Sequence, residues 1–188
     1  SMPRNSEPQM LSKTIKWMKT NTPQIRYLYT WADGLVGKPG YVYQSANFLY
    51  GGFIWTDTYV TQDGEKIHPR TLQSQLPNPS GLKYGPRPNF DQLKAMRLTR
   101  VKGKQFRYVY PMTKNDRKNL RHSTVNWTLN HPKDTDLQWK VKRPGETSYD
   151  LTEVMPFNYQ PENMTFNERN ITQVSRKTGT STLEHFFT

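Results

Sequence analysis

Residues 24–71 constrain the fold most, because they predict a strand, a polar turn and a short helix in direct succession. The apolar and aromatic run from Ile25 to Trp31 predicts a buried strand that ends at Asp33. Residues 41–50 then predict a helix, which a glycine pair ends. In an open α/β sheet, functional side chains converge where strands end. The segment therefore predicts an α/β sheet with a candidate site at Asp33.

Capping and turn signals predict further elements in the first part of the chain. Ser6-Glu7-Pro8-Gln9 has capping-box spacing, and the apolar residues that follow it predict a helix ending before Pro23. Asp63-Gly64 predicts the turn of a hairpin between strands at 53–61 and 65–68. These elements belong to a predicted core portion, residues 3–76.

Periodicity is weaker in the rest of the chain. Asn89 predicts the cap of a short helix, Gln105–Tyr110 alternates as a strand does, and Thr113 predicts the cap of a helix reaching about Arg121. We interpret residues 77–143 as a basic, aromatic-rich extension. From residue 144 to residue 188 the sequence predicts an irregular tail.

Composition narrows the class of protein. The absence of cysteine excludes a disulfide framework and thiolate metal sites. The four histidines have no metal-ligand spacing, so we predict no metal site. No apolar run approaches the length of a membrane span, and the mean hydropathy is −0.93, so no membrane partner is expected.

A net charge of +12 favours a polyanionic partner, and DNA is the expected one. The positive charge is concentrated in the middle of the chain, where Phe106, Tyr108 and Tyr110 interleave with it, which suits phosphate contacts and base stacking. An ordinary solvated basic face is the alternative interpretation. The predicted nucleic-acid-binding residues are Arg97, Arg100, Lys102, Lys104, Arg107, Tyr108, Lys114, Arg117, Lys118 and Arg121.

Several short motifs occur in a specific order: Tyr29-Thr30-Trp31-Ala32-Asp33, Gly40, Tyr43-Gln44, Asn47-Phe48, Tyr50 and His68-Pro69-Arg70. This order resembles the GNAT-like phage DNA-modification proteins of the Mom family over residues 3–71, and more loosely at 107–111. The resemblance implies an acyl-CoA N-acyltransferase fold, with a mixed sheet and flanking helices. It also implies conversion of adenine in phage DNA to its N6-carbamoylmethyl form, an anti-restriction modification made in the cytoplasm of the bacterial host.

The resemblance further implies that the chain begins halfway through this fold, so that another chain or segment is expected to supply the first strands. It implies acetyl-CoA or a related acyl donor as cofactor. The loop that would bind the donor's pyrophosphate has Arg4, Asn5 and Ser6 as candidate contacts. It lacks the usual glycines, and Glu7 would repel phosphate.

Each candidate site residue has a functional and a structural interpretation. Asp33 and Tyr43 are the predicted catalytic residues, Asp33 as a base or substrate anchor and Tyr43 as an acid or orienting group. Asp33 could instead cap a turn, and Tyr43 could be a core aromatic. The predicted substrate-binding residues are Gln44, Asn47, His68 and Arg70.

Two other classes of protein remain open from the sequence. One is a non-enzymatic nucleic-acid-binding or phage structural protein on the same fold. The other is an N-acetyltransferase that acts on a different amine, of a protein or of a small molecule. DNA affinity without modification would identify the first, and acetyl-CoA binding without DNA dependence would identify the second.

Overall fold

A six-stranded sheet organises the chain, whose computed structural model describes residues 6–78, 81 and 85–159. The spatial order is β3-β2-β4-β5-β6, and β1 also pairs with β4. Every pairing among the described strands is antiparallel, so the class is α+β and the sheet is not the expected mixed one. The strands are β1 (Tyr27–Asp33), β2 (Leu49–Val60), β3 (Lys66–Ile67), β4 (Thr99–Pro111), β5 (Trp139–Lys142) and β6 (Asp150–Thr152).

Strand β4 is the central strand of the sheet, and its side chains contribute to both faces. It pairs with β2 along one edge, while β1 and β5 pair with successive parts of its other edge. Because side chains alternate along a strand, Phe106 and Tyr108 point to one face and Gln105 and Arg107 to the other. We refer to these as the Phe106 face and the Arg107 face.

Helices cover the two ends of the Phe106 face. The predicted N-terminal helix is confirmed as α1 (Ser6–Asn21), whose Ile15 joins Phe106 and Tyr108 in the main core. At the far end, α3 (Pro69–Gln75) and α4 (Phe90–Ala95) cover Tyr59 with Leu72 and Leu93. No helix within the described ranges is long and apolar enough to cross a membrane.

The helix predicted over residues 41–50 is much shorter in the structure. It forms α2 (Tyr41–Ser45), after which Asn47 takes a left-handed conformation with φ of 62° and β2 begins. The glycine pair that was expected to end the helix lies inside β2, where the register shifts between Tyr50 and Phe53. A Cβ on Gly51 would lie 2.2 Å from the ring of Trp127, so this glycine permits a close approach instead of ending a helix.

Other predicted elements are confirmed with small changes. The hairpin between β2 and β3 turns at Asp63-Gly64. Asn89 caps α4 with a complete capping box, and Thr113 caps α5 (Lys114–Asn119). The strand predicted at Gln105–Tyr110 is the middle of the longer β4. By contrast, β1 is not buried throughout, because Tyr29 is 53% exposed.

The segment interpreted as an extension is part of the same sheet. Residues 77–143 supply β4 and β5, which are hydrogen-bonded to strands of the predicted core portion. The predicted irregular tail contributes β6, and residues 160–188 of that tail lie outside the described residues. Neither β5 nor β6 was predicted, since strands of four and three residues carry too little periodicity to identify.

Candidate nucleic-acid interface and active site

An aromatic platform lies on the Arg107 face beside β1. Tyr29 and Trp31 are two positions apart in β1, so both side chains point to this face. Their ring centroids are 5.6 Å apart in an edge-to-face arrangement. Trp127 approaches Tyr29 from the other side, at 6.3 Å between centroids. Tyr29 is 53% exposed. We call Tyr29, Trp31 and Trp127 the aromatic platform.

The position of Trp127 depends on contacts with β2 and on one hydrogen bond to a nearby residue of its own loop. Thr128 exchanges two backbone hydrogen bonds with Tyr50, at 2.8 and 2.9 Å, which anchors this loop to the bulged part of β2. Gly51 leaves space for the indole ring. The indole Nε1 donates to Ser123 Oγ at 3.3 Å. Trp127 was missed from the sequence because no local pattern points to it.

Arg107 places a cation beside the platform. It lies directly opposite Trp31 in the β1–β4 pair, and its guanidinium carbon is 6.0 Å from the indole centroid. Its Nε is buried and has no hydrogen-bond partner among the described residues. Because this atom is out of reach of a ligand, a phosphate would have to bind the terminal amino groups of the guanidinium.

Asp33 lies at the end of β1, as predicted, and shares the Arg107 face with Trp31. Its Oδ1 accepts a hydrogen bond from the backbone N–H of Leu35 at 3.1 Å, which caps the 3₁₀ helix Gly34–Val36. This is the turn-capping role weighed from the sequence. The residue is nevertheless exposed, so the carboxylate remains accessible to a ligand stacked on the platform.

A basic concavity of about 770 Å³ adjoins the platform and shares Trp127 with it. Four residues predicted to bind nucleic acid line it: Lys114 and Arg117 and Lys118 from α5, and Arg121 from the following 3₁₀ turn. None of the described residues that line it is acidic. The concavity therefore has the charge to attract a phosphate backbone beside the aromatic rings.

Asp116 fixes α5 against the start of β1. Its carboxylate accepts from the Thr113 hydroxyl at 2.6 Å and from Arg26 Nε at 2.8 Å. These hydrogen bonds, that of Thr113 first, lower the pKa of the Asp116 carboxyl. The acidic residue of this helix is thus neutralised internally, and its basic residues are left to face the concavity.

The structure does not bring Tyr43 and Gln44 to Asp33, because α2 packs on the opposite face of the sheet. The Tyr43 ring lies 5.5 Å from that of Phe48 and 5.6 Å from that of Tyr108. Gln44 Nε2 donates to Tyr108 Oη at 3.2 Å and to Pro132 O at 3.0 Å. Both residues hold the core and its loops together in this structure.

The remaining predicted substrate-binding residues also lie apart from Asp33. Asn47 is exposed in the left-handed turn between α2 and β2. His68 caps α3, with its Nδ1 accepting from the backbone N–H of Arg70 at 3.2 Å. This helix follows β3, which is separated from β1 by β2 and β4.

The other predicted nucleic-acid-binding residues are dispersed. Tyr108 is fully buried, so its ring is not accessible to nucleic acid in this structure, and burial raises its pKa to about 12. Lys104 is largely buried and donates to Asp136 O at 2.6 Å, while burial lowers its pKa. Arg100 pairs with Asp57 at 2.9 Å. Arg97 occupies a left-handed turn, and Lys102 lies on the Phe106 face.

Only part of the predicted donor site lies within the described residues. Arg4 and Asn5 lie outside the described residues, and Ser6 is the first residue of α1. The first turn of that helix carries Glu7, which opposes a pyrophosphate at the helix N-terminus. No cluster of three metal-ligating side chains occurs in the part of the chain that the structure describes.

Comparison with known proteins gives two matches. The profile of the Mom protein family matches residues 1–129. The methylcarbamoylase Mom of Escherichia phage Mu is 30% identical over 119 residues, which cover 63% of this chain and 46% of that protein. The chain thus spans about half the length of the curated relative. Residues 1–129 include the aromatic platform, Arg107, Asp33 and the cations of the concavity. The chain belongs to the Mom protein family.

Proposed function

We propose that this chain carries the DNA-binding and amine-activating surface of a GNAT-like transferase that modifies adenine in phage DNA. One observation supports this most directly: an accessible carboxylate, Asp33, lies on the same sheet face as the aromatic platform, and the platform adjoins a basic concavity through Trp127. The similarity to a methylcarbamoylase supports the same reaction class.

In this proposal the adenine leaves the duplex before it reacts, because its amino group is otherwise engaged in base pairing. The extruded base stacks on the exposed ring of Tyr29 or on the half-buried ring of Trp31. Arg107 and the concavity hold the flanking phosphates. The base is thereby positioned beside the end of β1, where Asp33 lies.

Asp33 acts on the exocyclic amino group of this base. The amino nitrogen forms a bond to the carbon of the transferred group while the bond between that carbon and the donor breaks, and the donor leaves with the bonding electrons. The nitrogen then loses a proton, which the carboxylate accepts. Oδ1 stays engaged by the Leu35 N–H, which fixes the orientation of the carboxylate. The donor site is supplied from outside the described residues, since Glu7 in the first turn of α1 opposes a pyrophosphate there.

The test is mass spectrometry of nucleosides from DNA of cells that express the chain, compared with an Asp33→Asn variant. Asparagine keeps the oxygen that accepts the Leu35 N–H, so the turn and the fold are retained, whereas the base is lost. Asp63→Asn, in the hairpin turn, is the matched control. We expect a modified deoxyadenosine from the unaltered chain and the control, and none from Asp33→Asn.

A non-enzymatic nucleic-acid-binding module is the second candidate. The observation that favours it is the separation of Asp33 from Tyr43, which leaves the predicted acid and base on opposite faces of the sheet. Under this alternative the DNA of all three strains is unmodified, while the purified chain still binds DNA. Modification that survives in Asp33→Asn would instead exclude this carboxylate as the base.

A further inference from the structure

A row of lysines occupies the middle of the Phe106 face, between the two groups of helices. Each ammonium group lies over an aromatic ring. The pairs are Lys102 with Tyr149 at 4.9 Å, Lys104 with Phe53 at 4.9 Å, Lys140 with Trp55 at 4.5 Å, and Lys142 with Phe90 at 5.6 Å. Lys104 is buried and its ammonium donates to Asp136 O, so we call Lys102, Lys140 and Lys142 with their rings, together with Phe53, the lysine patch. It lies on the opposite side of the sheet from Asp33 and the aromatic platform.

The register of β4 and β5 places like charges directly opposite each other. Lys102 faces Lys140, and Arg100 faces Lys142. Like charges in this arrangement destabilise a sheet. Asp57 is the one acidic residue in the sequences of β2, β4 and β5, and two arginines, Arg87 and Arg100, already bind it. Asp57 also faces Lys102 in the β2–β4 pair, but its carboxylate pairs with the two arginines, so this part of the sheet keeps an excess of positive charge that a polyanion would offset.

The rings of the patch indicate which polyanion. Phe53 and Phe90 are 39% and 41% exposed, and Trp55 is partly exposed between them and the lysines. A duplex keeps its base faces stacked inside, so it would present only phosphates to this surface. A single strand presents both phosphates and unstacked bases, which matches alternating ammonium groups and rings.

We propose that the lysine patch binds single-stranded nucleic acid. The site is distinct from the surface in the proposed function and does not require the modification reaction. Lys140 and Lys142 lie beyond residues 1–129, which the family profile matches, so the patch is partly built from a region outside the family core.

The experiment is fluorescence anisotropy with a labelled oligothymidylate, with Lys140→Glu as the main variant. We expect this change to weaken binding roughly tenfold, as removal of one charged group that also stacks on a ring predicts. The same change should raise the melting temperature of the free protein, because the introduced carboxylate would face Lys102. A variant that is more stable yet binds less cannot have lost binding through misfolding.

Lys13→Glu on the exposed side of α1 is the matched control, since it alters net charge equally. Equal losses in Lys13→Glu and Lys140→Glu would overturn the proposal in favour of a general charge effect. Unchanged binding in Lys140→Glu would overturn it as well. Trp55→Leu should weaken binding of the oligonucleotide but not of heparin, which has no bases to stack. If both ligands are weakened alike, or neither is, base stacking on the patch is excluded.

A hairpin duplex separates this proposal from the proposed function. We expect Lys140→Glu to leave duplex affinity unchanged, whereas Arg117→Glu in the basic concavity should reduce it. The absence of any modified nucleoside from cells would count against the proposed function alone. Stronger binding of the duplex than of the single strand to the lysine patch would count against this inference alone.

Discussion

Arg107 faces Trp31 across the β1–β4 pair, with its guanidinium carbon 6.0 Å from the indole centroid and its buried Nε without a partner in the described ranges. The two residues join the charged and the stacking parts of one surface. The pair therefore offers a sensitive test of whether that surface binds DNA.

We expect Arg107→Lys to weaken DNA binding although it keeps the charge. Lysine cannot offer a planar fork to a phosphate while it stacks on Trp31. The loss should be about 1 kcal/mol, the size of an exposed cation–π contact plus one hydrogen bond. Isothermal titration with duplex DNA measures it, and melting temperature serves as the control for folding. Full affinity in Arg107→Lys would show that Arg107 contributes charge alone.

The basic concavity predicts a defined dependence of DNA affinity on salt. Arg117→Glu removes one of the four cations, Lys114, Arg117, Lys118 and Arg121, that can each bind a phosphate. The slope of log affinity against log salt should then become shallower by about 0.9 for each phosphate that is no longer bound. The measurement is a salt titration of duplex binding, with Lys13→Glu on α1 as the charge-matched control. An unchanged slope would place the phosphates elsewhere.

Gly51→Ala should displace Trp127 from the platform. The added Cβ would lie 2.2 Å from the indole ring, which is far inside van der Waals contact. We expect a loss of about 1–3 kcal/mol in the free energy of unfolding, as overpacking usually causes. Chemical denaturation measures this loss. The double variant Gly51→Ala with Trp127→Leu should recover stability but not DNA affinity, and failure to recover stability would mean that the clash is with another group.

The lowered pKa of Asp116 predicts that the fold loses stability in acid. Its pKa is lowered from the ordinary value of 3.8, first by the Thr113 hydroxyl and then by Arg26. A lowered carboxyl pKa stabilises the fold above pH 3.8, and this stabilisation is lost as the pH falls through the lowered value. Asp116→Asn should therefore be less stable than the unaltered chain at neutral pH. The difference in melting temperature should shrink below pH 3.8, and a constant difference would contradict the prediction.

The raised pKa of Tyr108 predicts that the fold loses stability at high pH. Burial raises its pKa from 10.0 to about 12, and its hydroxyl donates to Pro39 O. A raised pKa stabilises the fold below pH 10, and this stabilisation is lost as the pH rises towards 12. Ultraviolet titration should show late tyrosine ionisation that accompanies unfolding. Tyr108→Phe should reduce the amplitude of that late step, and an unchanged amplitude would assign the step to other tyrosines.

The sequence predicted correctly the caps and the turn that are formed by residues close together in the chain. Asn89 and Thr113 cap their helices as expected, and Asp63-Gly64 forms the hairpin turn. In each case the hydrogen bonds that form the motif join residues a few positions apart. The end of β1 at Asp33 was also correct, since a polar residue before glycine is a strong signal for a turn.

The arrangement of the site depends on contacts that no local pattern encodes. Tyr43 and Asn47 were expected to share a helical face, but α2 ends at Ser45. A Gly-Gly pair is compatible both with the end of a helix and with the close approach of an aromatic ring. The contact of Gly51 with Trp127, which is distant in sequence, shows that the second applies here. The basic residues of the middle segment lie on both faces of the sheet. Those in β4 alternate between the two faces, whereas those after Thr113 belong to the helix α5.

Strand β4 supplies side chains to both proposed binding surfaces, with Arg107 on one and Lys102 on the other. Its alternation has a consequence for sequence change in this region. Deleting one residue between Lys102 and Arg107 would reverse the direction of every side chain on one side of the deletion. Substitutions can therefore tune either surface independently, whereas insertions and deletions within β4 would disrupt both at once.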